Sequence, residues 1–162
     1  MMLLVMEMAT TPLLEEHLTG SIIGAFFEVY NTLGFGFLER LYVLALEREL
    51  RQRGHYVERE FRVRIIYKGE LLGIQRLDLV VDHKVVIEVK ANYELHKADR
   101  RQLFNYLRAS DLEVGLLLHF GPSAKFYRLI HRNDERSAPI RRYPENPCPE
   151  WAADSTDYYS RP

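Results

Sequence analysis

A stretch in the middle of the chain decides the fold: Asp78-Leu-Val-Val-Asp-His-Lys-Val-Val-Ile-Glu-Val-Lys90. Two apolar runs, 77–81 and 85–90, flank a short polar joint, and each has the length and composition of a β-strand. If the runs pair as a hairpin centred on His83, Asp78 lies opposite Glu88. Because side chains alternate along a strand, Lys90 shares the face of Glu88, which is also that of Asp78. The stretch therefore predicts two acids and one amine side by side on an apolar sheet.

Two carboxylates at the distance of a cross-strand pair repel each other, so this arrangement needs a compensating charge. A hard divalent cation would provide it, since Mg²⁺ takes one or two carboxylates and keeps water and substrate phosphate as its other ligands. Lys90 would then contact a scissile phosphate or orient a water molecule. The alternative is a hairpin in which Lys90 neutralises Glu88 at a solvated edge.

Apolar periodicity on both sides of this hairpin predicts the remaining elements. Helices are expected at 14–33, 38–53 and 97–109, and strands at 57–65, 114–120 and 125–130, with a hairpin turn at 68–70. The inward side of the second helix is expected to carry Leu38, Leu41, Tyr42, Ala45 and Leu46. We divide the chain into an N-terminal extension (1–13), one domain (14–131) and a proline-rich irregular tail (132–162).

Composition limits the class of protein. The 162 residues are 47% hydrophobic and 28% charged with a net charge of -1, which suits one folded domain. The single cysteine, Cys148, excludes an intramolecular disulfide and suggests a cytoplasmic protein. The apolar N-terminal run lacks a positive region and is interrupted by Glu7, so neither a signal peptide nor a membrane span is expected.

Charge is distributed unevenly, because residues 55–132 carry 14 basic and 10 acidic side chains while both flanking blocks are net negative. An anionic partner would therefore bind the middle block, unless the surplus is an ordinary solvated surface. No GxSxG elbow, phosphate-binding loop or HExxH motif occurs, so serine- and cysteine-type hydrolases are not expected. The tail, with Trp151, Tyr158 and Tyr159, is either irregular or a partner-binding segment.

Five motifs in order resemble a known family. Asp78 followed by Glu88-Val-Lys90 resembles the signature of the PD-(D/E)XK nuclease superfamily, and Gly36-Phe-Leu-Glu39-Arg-Leu-Tyr42 resembles the motif that names its GxxExxY branch. The other matches are Arg76-Leu-Asp78-Leu-Val-Val, Gln102-Leu-Phe-Asn-Tyr106-Leu and Gly115-Leu-Leu-Leu-His-Phe-Gly121. The resemblance implies an α/β fold with a restriction-endonuclease-like αβββαβ core, in which helices flank a mixed central sheet.

The resemblance also implies roles. Asp78 and Glu88 would hold Mg²⁺ or Mn²⁺, with the Val89 carbonyl and Glu39 as further ligands, and Lys90 would be the catalytic lysine. Gln102 and Tyr106 resemble the Gln-x-x-x-Tyr element of RecB-type exonucleases, and their spacing puts both on one helical face. Substrate binding is expected from four further residues: Arg76, Lys97, Arg101 and Tyr42.

Several of these residues have a plainer alternative. Glu39 and Tyr42 would otherwise stabilise a helix start and fill the core. Gln102 and Tyr106 would otherwise form a buried hydrogen-bonded pair, and His119 is expected to be structural.

The sequence thus favours a metal-dependent nuclease that acts on DNA or RNA, without a membrane and with room for a homodimer or larger assembly. The alternative is a nucleic-acid-binding or protein-interaction module with little turnover on a nuclease scaffold.

Overall fold

A computed structural model of the protein describes residues 13–135. Three helices and five strands follow one another in this range, and a single 3-10 turn, Asn133–Glu135, ends it. In chain order they are α1 (Glu16–Leu33), α2 (Glu39–Gln52), β1 (Val57–Tyr67), β2 (Glu70–Val81), β3 (Val85–Lys90), α3 (Lys97–Ala109), β4 (Val114–Phe120) and β5 (Ala124–Ile130).

The five strands form one mixed sheet in the order β1-β2-β3-β4-β5. Tight turns connect β1 to β2, β2 to β3 and β4 to β5, and all three pairs are antiparallel. The central pair β3–β4 is parallel, which requires a crossover connection, and α3 supplies it. The mixed α/β sheet and its flanking helices agree with the fold expected from the sequence.

Helices cover both faces of the sheet. Side chains of α1 and α2 pack with Leu79, Val81, Ile87 and Leu116 in the larger core, and those of α3 pack with Val86 and Leu117 in the smaller one. Because β3 and β4 are covered on both sides, nearly all of their residues are buried, as expected for central parallel strands. Strands β3 and β4 are therefore the most deeply buried part of the sheet.

Most expected boundaries are confirmed, and those of α3, β3 and β4 agree residue for residue. Strand β2 was underestimated, because it begins at Glu70 rather than at residue 77. The first half of β2 pairs only with β1 and is largely exposed. Because Leu72 and Ile74 do not face a core, this half lacks the alternation of buried and exposed residues that predicts a strand.

The expected inward side of α2 was wrong in part. Leu38 is 70% exposed and Leu41 lies at the surface, whereas the buried residues are Tyr42, Val43, Leu46 and Leu50. The buried stripe is rotated from the expected one because α2 packs on both α1 and the sheet.

The predictions for residues 1–12 and 136–162, including the tail aromatics, lie outside the described residues. The division into three segments stays a prediction. None of the helices in residues 13–135 is long and apolar enough to cross a bilayer.

Candidate active site

At Asp78 the regular pairing of β2 is interrupted on both sides, with β3 and with β1. The register predicted for a hairpin centred on His83 is confirmed, since Leu79 lies opposite Ile87 and Val81 opposite Val85. Pairing stops there, and the Asp78 carboxylate accepts the backbone N–H of Val89 at 2.7 Å in place of a ladder bond. The Asp78 side chain thus holds the open end of the hairpin.

The neighbouring strand is interrupted at the same level. Pairing between β1 and β2 joins Arg59 to Leu79 and Phe61 to Leu77, and it skips the pair formed by Glu60 and Asp78. Glu60 has a φ of 55°, which is the left-handed region that non-glycine residues seldom occupy within a strand.

The interruption also exchanges the two faces of the strands. Val57 and Leu79 pack against α1 and α2, whereas Val63 and Leu77, at the same parity, pack against α3. Regular alternation would keep residues of one parity on one face. Asp78 is therefore located where β2 passes from one helical layer to the other, a feature that the alternation of the sequence did not reveal.

Glu88 and Lys90 follow on the adjacent strand. Glu88 is only 2% exposed, and its Oε1 accepts a hydrogen bond from Lys90 Nζ at 2.8 Å. The other oxygen, Oε2, is buried and has no hydrogen-bond partner. Glu88 is thus paired with Lys90, as the alternative interpretation expected, but it is buried and not at a solvated edge, and a buried carboxylate oxygen without a partner is costly.

The electrostatics show how crowded the carboxylates are. Burial, and then the charge of Asp78, raises the pKa of Glu88 to about 7, although Lys90 lowers it. Burial also raises the pKa of Asp78, against the opposing effects of the Val89 N–H and Lys90. Burial lowers the pKa of Lys90, but the neighbouring Glu88 outweighs it, so the net shift of that pKa is upward.

A third carboxylate comes from the first residue of α2. Burial raises the pKa of Glu39, Lys90 and the backbone N–H of Ala91 lower it, and Asp78 raises it further. Because the charges of Lys90 and Asp78 both act on Glu39, Glu39 belongs to the same cluster. It is too far from both residues in the sequence for a local pattern to show this.

The residues present suit a small cation with few protein ligands. No group of three or more His, Cys, Asp or Glu side chains within residues 13–135 is arranged to hold a metal ion. Mg²⁺ needs only one or two carboxylates, however, and the unpartnered Glu88 Oε2 beside Asp78 offers oxygen of that kind.

Gln102 and Tyr106 lie next to the acids on the α3 side. Gln102 Nε2 donates to Tyr106 Oη at 2.5 Å, so the two form the hydrogen-bonded pair that was one of the alternatives. Burial raises the pKa of Tyr106, and the charges of Glu88 and Asp78 raise it further, which places its hydroxyl near the carboxylates. Tyr106 Oη bonds to Gln102 and not to Lys90.

One pocket opens on each side of β2. The α3 pocket has a volume of about 450 Å³ and is lined by Gln75, Ala98, Arg101, Gln102, Asn105 and Tyr106. The α2 pocket has a volume of about 420 Å³ and is lined by Glu39, Arg40, Val43, Leu44, Arg59, Glu60 and Asp78. Glu39 and Asp78 are therefore accessible from the α2 side, whereas the α3 pocket has no acid in its lining.

Of the residues expected to bind substrate, Arg101 lines the α3 pocket. Arg76 and Lys97 are exposed but line neither pocket. Arg40, Arg59 and Glu60 were missed, because in an alternating strand or at a helix start they resemble ordinary surface residues.

The assignment of Tyr42 to substrate binding needs correction. Its side chain is fully buried, and its ring stacks on Phe120 with the centroids 4.2 Å apart. The hydroxyl donates to the Gly34 carbonyl at 2.7 Å and accepts the Phe37 N–H at 3.2 Å. With no exposed surface to offer a substrate, Tyr42 instead anchors the turn between α1 and α2.

His119 has the structural environment that was expected. It is 2% exposed, and its Nε2 is 2.8 Å from the Asn92 carbonyl oxygen. A Cβ on Gly121 would come within 2.3 Å of the ring, so that glycine makes room for the imidazole.

Comparison with protein families agrees with this geometry. A family model of the PD-(D/E)XK nuclease superfamily matches residues 16–132. The match covers most of the chain, so the protein belongs to this superfamily.

The comparison with curated protein sequences gave no match. Among solved structures, the chain is similar to one described as the crystal structure of SSO0001, with a TM-score of 0.48 and 23% sequence identity. That match covers 75% of this chain and 61% of the other, so this chain spans less than two thirds of that structure's length.

Proposed function

We propose that the protein is a Mg²⁺- or Mn²⁺-dependent nuclease of the GxxExxY branch, which hydrolyses phosphodiester bonds of DNA or RNA at Asp78, Glu88 and Lys90. The observation that carries this proposal is the buried Glu88 carboxylate, whose Oε2 has no partner although Asp78 and Lys90 are beside it. A fold tolerates such a group only when the rest of the domain stabilises it, and functional sites are where this is common.

Asp78 and Glu88 would hold the cation, with the Val89 carbonyl and Glu39 as further ligands. When bound, the cation lowers the pKa of water and polarises a phosphoryl oxygen. Asp78 is already oriented for this role by the Val89 N–H, which fixes one carboxylate oxygen.

Lys90 keeps a positive charge at the site. Burial lowers the pKa of Lys90, but the neighbouring Glu88 raises it by more. The ammonium group therefore stays protonated at neutral pH. An ammonium fixed 2.8 Å from Glu88 is placed to stabilise the negative charge that develops on the phosphate. It does so without reorganising in solvent, because its side chain is only 15% exposed.

The two pockets suggest how a strand reaches these residues. Arg40 and Arg59 in the α2 pocket and Arg101 in the α3 pocket would contact phosphates on opposite sides of the scissile bond. Arg59 Nη1 donates a hydrogen bond to Glu47 Oε2 at 3.0 Å, which fixes the position of the guanidinium group. Gln102 and Tyr106 would position the strand in the α3 pocket.

A second candidate function is a binding module with little turnover. The direct ion pair between Lys90 and Glu88 favours this function, because Lys90 compensates the charge at one oxygen of the buried carboxylate without any cation. On that proposal the pockets would still bind nucleic acid.

Cleavage of labelled single- and double-stranded DNA and RNA, with Mn²⁺ and then Mg²⁺, separates the two candidates. The Lys90→Ala variant should cut at least about 10²-fold more slowly while retaining substrate binding, since it loses the positive charge that stabilises the transition state. Lys84→Ala is the matched control, because Lys84 lies in the turn of the same hairpin and makes only an exposed ion pair with Glu15.

Cutting that requires the cation, is lost in Lys90→Ala and is retained in Lys84→Ala would support the nuclease. Cutting that survives in Lys90→Ala would identify a contaminant. Binding without cutting on every substrate would favour the binding module.

A further inference from the structure

A second cluster of reactive side chains lies at the turn end of the β2–β3 hairpin, away from the carboxylates. Ser21 Oγ in α1 is 2.7 Å from Nε2 of His55, which lies between α2 and β1. His55 Nδ1 is in turn 2.7 Å from Oδ2 of Asp82, in the turn after β2. Three segments distant in sequence thus align a hydroxyl, an imidazole and a carboxylate.

The carboxylate is held firmly in this line. Asp82 Oδ1 accepts the backbone N–H of Tyr56 at 2.8 Å, and the Asp82 N–H donates to the Tyr56 carbonyl at 2.9 Å. Asp82 and the next residue, His83, both have positive φ values, 50° and 56°. The turn therefore keeps two non-glycine residues in an unfavourable conformation while directing Asp82 at the imidazole.

The hydrogen bonds define the direction of proton transfer. An ionised carboxylate only accepts, so His55 Nδ1 carries the proton toward Asp82, and the lone pair of Nε2 faces the Ser21 hydroxyl. This arrangement of nucleophile, general base and orienting acid is recognised by geometry rather than by sequence position.

The three residues are partly exposed, and Ser21 itself is half-buried. The His55 and Asp82 side chains are 17% and 34% exposed. A Cβ on the preceding residue, Gly20, would meet no atom within 4 Å, so the helix surface at Gly20 is open.

A guanidinium lies on the other side of Ser21. Arg53 Nη1 is 3.5 Å from the Ser21 carbonyl oxygen. A Cβ on Gly24 would approach the same Nη1 to 2.9 Å, so the glycine leaves space for this cation. Since the N–H groups inside a helix are already bonded and Arg53 Nε pairs with Glu49, the Nη1 group of Arg53 is the donor that would stabilise a negative acyl oxygen beside Ser21.

We propose that Ser21 is the nucleophile of a second, acyl-transfer site that hydrolyses small esters. The proposal is independent of the nuclease, and it differs from the sequence-based expectation because no GxSxG motif announces the site.

The reaction is balanced with water as the only co-reactant. Ser21 Oγ forms a bond to the acyl carbon while its proton passes to His55 Nε2, and Arg53 donates to the acyl oxygen. The ester C–O bond then breaks, and the alcohol leaves with the proton from His55. Water, deprotonated by His55, attacks the acylated serine, so that a carboxylic acid is released and Ser21 recovers its proton.

Two measurements on the full chain test the proposal: covalent labelling by a fluorophosphonate probe, mapped by peptide mass spectrometry, and hydrolysis of p-nitrophenyl acetate. Labelling should map to Ser21. The Ser21→Ala variant should lose labelling and hydrolyse the ester at the rate of buffer. Asp82→Asn should label at least about tenfold more slowly, because the imidazole loses the acceptor that sets its tautomer.

Ser123→Ala is the matched control, because Ser123 is an exposed serine in the turn between β4 and β5, and it should label at the normal rate. Labelling in EDTA should proceed at the normal rate, which separates this site from a cation-dependent nuclease. Ser21→Ala improves helix propensity, so loss of labelling with an unchanged thermal transition would exclude unfolding as its cause. Labelling elsewhere, no labelling, or full ester hydrolysis by Ser21→Ala would overturn the proposal.

Discussion

The two ends of the β2–β3 hairpin handle their charges in opposite ways. At the open end, Asp78 and Glu88 face each other as like charges in a buried setting, with one oxygen of Glu88 unpartnered. At the turn end, both oxygens of Asp82 are bonded, one to the Tyr56 N–H and one to His55. The fold therefore satisfies both oxygens of the acid at the turn end, whereas at the open end it leaves two acids together and one oxygen unpaired, as is expected where a cation site opposes stability.

The open end of the hairpin stays folded because β3 is stabilised by its burial and by its pairing with β4. Of the six residues of β3, all but Lys90 are buried, and β3 pairs with β4 along its whole length. Burial of the valines and Ile87 in both cores stabilises the strand by roughly 1.5–3 kcal/mol for each large side chain. That stabilisation offsets the repulsion between the two acids.

The largest expected effect is on the pH dependence of stability, measured in EDTA. Burial raises the pKa of Glu88 from 4.5 to about 7, so between these values the folded state binds more protons than the unfolded state. The free energy of unfolding therefore falls as pH rises through this window. Glu88→Gln removes the titrating group, and its stability relative to the wild type should increase by on the order of 2 kcal/mol between pH 4.5 and pH 8.

Urea unfolding of both proteins at the two pH values measures this difference. Glu58→Gln is the control, since Glu58 lies near the surface in β1 and pairs only with His83. An unchanged difference between pH 4.5 and pH 8 would show that the open end is not strained by charge.

A smaller effect should distinguish the two aspartates. Asp78→Asn keeps an oxygen for the Val89 N–H and removes a charge that raises the pKa of Glu88, so stability should stay constant or rise. Asp82→Asn weakens the bond to His55 and should cost about 1 kcal/mol.

Chemical denaturation at pH 7 of the two variants beside the wild type tests this contrast. If Asp78→Asn proved the more destabilising, the open end would be a structural contact, and the comparison between the two ends would be reversed.

The smallest effect is stabilisation by a divalent cation. Cations compete with protons for carboxylates, so Mg²⁺ or Mn²⁺ should raise Tm more at pH 8 than at pH 5.5. For weak binding near Kd the gain is roughly 0.5 kcal/mol, or about 1–2 °C in Tm. The measurement is a thermal scan with and without the cation.

Glu88→Gln should lose this shift, whereas Asp82→Asn should keep it, because the turn end contributes no ligand. An equal shift in Glu88→Gln and the wild type would locate the cation elsewhere on the protein.

Local patterns predicted much of the fold and part of the site. The period of the strands and the polar joint at His83 were enough to bring Asp78, Glu88 and Lys90 together, because all three lie on one hairpin. The exchange of faces at Asp78 was not predictable, since it depends on the positive φ of Glu60 in a neighbouring strand. Tyr42 was assigned to substrate binding from its motif position, although the helical period had already placed it on the inward side of α2, where it is buried.

The sequence by itself determined the elements and the carboxylate–lysine cluster, because the contacts that form them join residues at most about a dozen positions apart along one strand pair. The motif resemblance implied Glu39 as a further ligand, but its place beside the cluster and the alignment of Ser21, His55 and Asp82 depend on the tertiary structure. Those contacts span 34 and 27 residues for the serine and the aspartate, and they depend on how α1 packs against the sheet. Side-chain periodicity records which face of an element is buried, but it does not record which distant residue lies opposite.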